Sequence, residues 1–206
     1  MAQVMEQAVG PGPGPGQAIA RTVPPKSIVP LQGLPVVIAV IGGMIAAIAT
    51  NTQWALDFYH VVGGGLWTAI DLFVGLLLGP ILGSLSIPAR LEFSARFMPK
   101  MALLMPTLVT MTLGAGWQLA RKLGNLAPGS VNHGWLVASY IVVGVMTVIA
   151  LGVLEPANLA VLFELRKPRP NGEVIGRLMR RFIYTAGITG AMQIATLVIM
   201  TRVATQ

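Results

Sequence analysis

Charge is missing from long stretches of this chain, and a stretch without charge has few ways to fold. No Asp, Glu, Lys or Arg lies between Lys26 and Asp57, from Met101 to Ala120, from Leu123 to Leu154, or from Phe182 to Thr201. Between Phe58 and Ala89, Asp71 stands alone. A helix needs roughly 20 apolar residues to cross the hydrocarbon core of a bilayer. In lipid every backbone N–H and C=O must be satisfied internally, which a helix does within one segment. The five intervals predict an all-α integral membrane bundle of five transmembrane helices, over about residues 34–50, 57–83, 99–119, 134–154 and 182–201. Only 10% of the residues are charged, against about 25% in a soluble domain.

The few charges orient the spans. Lys and Arg collect in cytoplasmic loops. With the N-terminus cytoplasmic, the inner segments hold Arg21, Lys26, Arg90, Arg96, Lys100, Arg166, Lys167, Arg169, Arg177, Arg180 and Arg181. The outer segments hold Arg121, Lys122 and Arg202. A net charge of +7 is thereby assigned to topology and anionic lipid rather than to nucleic acid. The expected setting is a bacterial inner membrane, with the bilayer and other membrane protein subunits as partners. The chain has no cysteine, which excludes disulfides, thiolate metal sites and c-type haem attachment.

Residues 1–30 read as a disordered arm, because Gly10-Pro11-Gly12-Pro13-Gly14-Pro15-Gly16 alternates two residues unsuited to helix or sheet. Pro88 and the charged run Arg90–Lys100 read as the first inner loop, with Pro99 in the first turn of the third helix. Pro106 predicts a kink whose freed carbonyl is met by Thr107 or a neighbouring helix. Glu173–Arg181 reads as a short amphipathic helix on the membrane surface ahead of the fifth span.

The second span carries the chemistry. His60, Gly64, Trp67, Asp71 and Gly75 fall within an arc of about 80° at helical spacing. Gly75, Gly79 and Gly83 form a small-xxx-small ladder beside it, which predicts close helix contact. A carboxylate at membrane depth is costly and needs a partner, a proton or a water-filled cavity. Asp71 is therefore expected to face inward, as polar glue to Thr107, Thr110 or Thr112 of the third helix, or in a transport or proton role. His60 lies eleven residues from Asp71, about 16 Å along the axis. The two cannot share a metal or a direct hydrogen bond. A neutral imidazole at His60 can ligate haem iron or copper, shuttle protons, or simply bond a carbonyl. His133 lies towards the same face of the membrane, so a haem held by both histidines is conceivable. The chain has no Walker loop, dinucleotide fingerprint, HExxH motif or nucleophile elbow, and catalysis by this chain on its own is not expected.

The stretch His60-Val61-Val62-Gly63-Gly64-Gly65-Leu66-Trp67, with Asp71-Leu72-Phe73, Gly79-Pro80, Arg90, Arg96, Pro99, Pro106 and Gly114-x-Gly116-Trp117, resembles a superfamily of small polytopic membrane proteins. It is the one around the copper-resistance protein CopD, which also includes the HemJ-type protoporphyrinogen oxidases. The resemblance covers roughly residues 55–200. It implies a helical membrane bundle and a haem or copper ligand at His60. The additional histidines of a copper-handling member are absent here. The expected function is an accessory or redox-associated membrane subunit carrying haem b. Alternatives are a CopD-like transporter of copper or a small solute, a HemJ-like porphyrin oxidase, and a subunit with no cofactor.

Overall fold

Five long apolar helices account for nearly all of the structure, a computed structural model that describes residues 30–205. The arm expected over residues 1–30 lies, but for Pro30, outside the described residues. The helices are α1 (Leu31–Thr50), α2 (Gln53–Ser84), α3 (Ile87–Lys122), α4 (His133–Leu165) and α5 (Gly172–Ala204). Each is long and apolar enough to cross a membrane. Among the described residues there is no strand.

The helices run past the ends that charge alone marks. Arg90–Lys100 is not a loop but the first third of α3, which starts at Ile87 with Pro88 in its opening turn. Pro88 fills the position expected for Pro99, because its missing N–H is one that a first turn leaves free anyway. Glu92 and Arg96 pair at 2.7 Å, one turn apart on this helix. Pro99 and Pro106 both lie inside α3. Thr107 bonds the carbonyl of Leu103 at 2.7 Å, one residue beyond the Ala102 carbonyl that Pro106 leaves free. After the α4–α5 connection, Glu173–Arg181 is continuous with α5 rather than a separate surface helix. The Asn171 side chain accepts from the N–H groups of Glu173 and Val174 at 3.0 and 3.2 Å and starts that helix. No proline follows before its end, and stopping would strand four carbonyls. Charge marks the edge of the hydrocarbon, while a helix continues into the interface.

α2 packs along α3 on one side and α5 on the other. α4 lies along α5, and its close backbone approach to α3 falls in Glu155–Leu165. At that end the apolar core is dense, with Leu91, Met98, Val161, Leu162, Leu165, Ile175 and Phe182 fully buried. Towards its start, α4 parts from α3. α1 is peripheral, burying only Met44 and Ala47, and joins α2 through Asn51 and Thr52. Asn51 takes the left-handed conformation with φ 50°. Its side chain and carbonyl accept from Gln118 Nε2 at 3.1 Å and Lys122 Nζ at 2.7 Å, which tie the turn to α3.

The ladder of glycines divides into two parts. Gly75 meets the backbone of Gly187 on α5, and a Cβ on Gly75 would overlap the Gly187 Cα. A Cβ on Gly79 would stand 2.9 Å from Ile183 Cγ2, whereas one on Gly83 meets nothing within 4 Å. The line is broken because α2 is a π-helix over Phe73–Leu78, where a wider turn rotates the later residues away from the α-helical register. Gly83 thus lies off the helix contact expected of it. Gly75→Ala is expected to destabilise the bundle by about 1–3 kcal/mol, since backbone cannot swing aside for the added carbon. Thermal unfolding in detergent checks this against Gly65→Ala, whose Cβ meets nothing within 4 Å. Equal midpoints for the two variants would show the α2–α5 contact to be slack.

Candidate functional site

Where α3 and α4 part, a cavity of about 510 Å³ opens between α2, α3, α4 and α5. Its walls are mostly apolar, including Val61, Leu113, Leu136, Val143, Met146 and Leu197. Trp117 and Tyr140, whose rings lie 5.8 Å apart, bridge α3 and α4 across it. The small residues Gly64, Gly65 and Gly116 also line it. Of these, Gly65 leaves the wall open, since a Cβ there would meet nothing within 4 Å. This is the size and lining of a small-molecule site in a helix bundle.

His60 lines this cavity and is held from α3. Its Nδ1 lies 2.9 Å from the carbonyl oxygen of Thr112. A carbonyl can only accept, so Nδ1 carries the proton and donates, and in the neutral ring Nε2 has the lone pair. The close approach depends on Gly116. A Cβ there would stand 2.6 Å from His60 Cε1 and nearer still to Nδ1. A histidine anchored through one nitrogen with the other left as a base is the arrangement of a metal-ligating imidazole.

Asp71 closes the deep end of the site through Gln193. Its Oδ2 accepts three hydrogen bonds: from Trp67 Nε1 at 3.0 Å, from Thr189 Oγ1 at 3.0 Å and from Gln193 Nε2 at 2.8 Å. Asp71 is 2% exposed and Gln193 4%. Gln193 also lines the cavity, and its Oε1 is buried without a partner. Asp71 has no basic partner, since the ion pairs among the described residues are Arg96–Glu92 and Lys167–Glu164. The inward orientation expected for Asp71 holds, but its partners are not the threonines of α3. Thr107 and Thr112 bond carbonyls of their own helix, at Leu103 and Leu108, and Thr110 is exposed. Apart from Trp67 of its own helix, the partners come from α5, because α2 turns Gly75 to α5 and Asp71 lies one turn from it. Thr185, Thr189 and Gln193, spaced by four in the fifth span, were the available signal. Gln193 is the one amide in that span.

The structure separates the other candidates. Gly64 lines the cavity, with space for a Cβ 3.5 Å from Thr112 Cγ2. His133 is the first residue of α4, and it is not among the residues that line the cavity. Its Nδ1 is buried without a partner. Among the described residues no three His, Asp or Glu side chains gather as a metal site. Comparison with protein-family models, curated proteins and solved structures finds no match to this chain.

Proposed function

We propose that this polytopic membrane protein is a haem-binding, redox-associated subunit, with haem b seated in the cavity between α2, α3, α4 and α5 and His60 as its axial ligand. The observation that carries the reading is the hydrogen bond from His60 Nδ1 to the Thr112 carbonyl, which fixes the tautomer and leaves Nε2 as a base at an apolar cavity. His60 supplies a protein nitrogen, and the apolar walls suit the faces of a porphyrin. The porphyrin supplies four ligands of its own, so a single protein nitrogen suffices. A copper site needs several protein donors, and no cluster of three His, Asp or Glu is present among the described residues. When bound, the haem would supply one-electron chemistry. The chain's own part is to orient the imidazole and to exclude water with Trp117, Tyr140 and the aliphatic walls. The peripheral α1, with most of its surface apolar and uncovered, supports docking against other membrane subunits. The surplus of basic residues in the first turns of α3, the α4–α5 connection and the first turns of α5 supports a cytoplasmic N-terminus.

The absorption spectrum of the purified protein tests this reading. A Soret band that shifts on reduction is expected. A colourless preparation that takes up no haemin on titration would overturn it. Gly116→Ala adds a finer check. By displacing the imidazole from Thr112 it is expected to weaken haemin affinity by about 10–100-fold, the usual effect of losing the partner of a ligating histidine.

A further inference from the structure

A second cavity, of about 400 Å³, lies at the opposite, basic end of the bundle between α2, α3 and α5. Arg90 and Arg180 both line it, and no carboxylate does. Arg90 is braced from behind: its Nε donates to the Leu85 carbonyl at 2.9 Å and its Nη2 to the Gly83 carbonyl at 2.8 Å. Its Nη1 makes no hydrogen bond among the described residues. A Cβ on Gly176 would stand 3.9 Å from that nitrogen, so the glycine borders the guanidinium without covering it. Arg180 is exposed and forms no ion pair among the described residues. Ser94, fully buried, adds a hydroxyl to the lining. Above these polar groups the wall becomes an apolar trough of Gly79, Gly83, Leu82, Met179 and Ile183.

We propose that this cavity binds an anionic phospholipid, its phosphate between Arg90 and Arg180 and one acyl chain along the glycine trough. Guanidinium groups match phosphate oxygens with paired N–H donors. Basic pockets between transmembrane helices at the cytoplasmic face suit such headgroups. A buttressed arginine without a counter-ion keeps its charge available where a flexible one would fold back. Gly83, which the π-helix turns away from the α2–α5 contact, opens onto this trough. The phosphate chemistry alone would also suit free inorganic phosphate, and only a lipid uses the trough.

Native mass spectrometry of the full chain in detergent tests the proposal, with phosphatidylglycerol, phosphatidylcholine or inorganic phosphate added. Phosphatidylglycerol is expected to remain bound where phosphatidylcholine does not. Arg180→Gln is expected to lower its retention about tenfold, while Arg177→Gln, an exposed arginine on the same helix outside the cavity, leaves it unchanged. Gly83→Leu fills the trough without altering charge and is expected to lower retention to a similar degree. Its Cβ meets no neighbour, so the fold is kept. Equal losses in Arg180→Gln and Arg177→Gln would reduce the effect to diffuse surface charge and overturn the site. Inorganic phosphate displacing the lipid completely, with Gly83→Leu silent, would overturn the lipid as occupant. Neither substitution touches the haem cavity, so the Soret band is expected to stay unchanged in both.

Discussion

His60→Ala is expected to remove the Soret band entirely while leaving the helical content and the unfolding midpoint close to those of the parent protein. The imidazole makes one hydrogen bond, to a carbonyl of α3. That carbonyl belongs to a helical residue and keeps its own backbone partner. His60 is also half-buried rather than part of the closed core. The structural loss is therefore about 1 kcal/mol, the net worth of an ordinary hydrogen bond. The loss to a bound haem is its only protein ligand in this cavity. Free imidazole added to the variant should restore the band, because the space vacated at Gly116 accommodates the ring. A variant that keeps its Soret band would place the ligand elsewhere, with His133 the first residue to replace. A variant that loses the band together with its fold would be separated from ligand loss by the failure of imidazole rescue.

Asp71→Ala is expected to do the reverse, destabilising the bundle by about 2–4 kcal/mol. Interhelical hydrogen bonds in membrane proteins average only about 0.6 kcal/mol each, so the bonds alone would not reach this. The larger part comes from what is left behind. The buried Trp67 Nε1 and Gln193 Nε2 lose their acceptor, at about 1–3 kcal/mol per orphaned group. Thr189 suffers less, because carbonyls of Thr185 and Ala186 lie within 3.1 Å of its hydroxyl. Asp71→Asn keeps an acceptor oxygen in place and is expected to recover most of the loss. Unfolding in detergent measures both variants. A change below about 1 kcal/mol for Asp71→Ala would show that the cluster does not hold α2 to α5. The pair of substitutions also separates two kinds of residue. His60 would hold the proposed haem with little effect on the fold, whereas Asp71 joins α2 to α5.

Much of this architecture is legible in the sequence, for a physical reason. A charge is so costly in hydrocarbon that its absence marks each crossing, and all five helices lie where the charge-free intervals put them. The same logic fails at helix ends, where Arg90–Lys100 and Glu173–Arg181 are helical because the interface tolerates charge and helix alike. His60 and Asp71 stand out by chemistry, but their partners do not. Helical spacing says that Asp71 shares a face with Gly75, and it does not say which helix that face meets. The threonines of α3 were nearer in the chain, while the close contact of Gly75 with Gly187 chose α5. The π-helix over Phe73–Leu78 has no signature in residue type, and it decides that Gly75 packs while Gly83 does not. The cavity itself comes from the parting of α3 and α4, a property of two helices together that neither span displays alone.

The bonds that secure Asp71 have a consequence for how the protein is made. Thr189 and Gln193 lie 118 and 122 residues beyond it in the chain. At roughly 5–20 residues per second of synthesis, α2 waits about 6–24 s for the helix that accepts it. During that interval a carboxylate must be carried into the bilayer at a cost of about 2.5–3.5 kcal/mol, with only Trp67 of its own helix to donate to it. The long apolar run of α2 outweighs that cost and lets it insert. The cluster then closes only when α5 follows it into the bilayer and brings Thr189 and Gln193 to the waiting carboxylate.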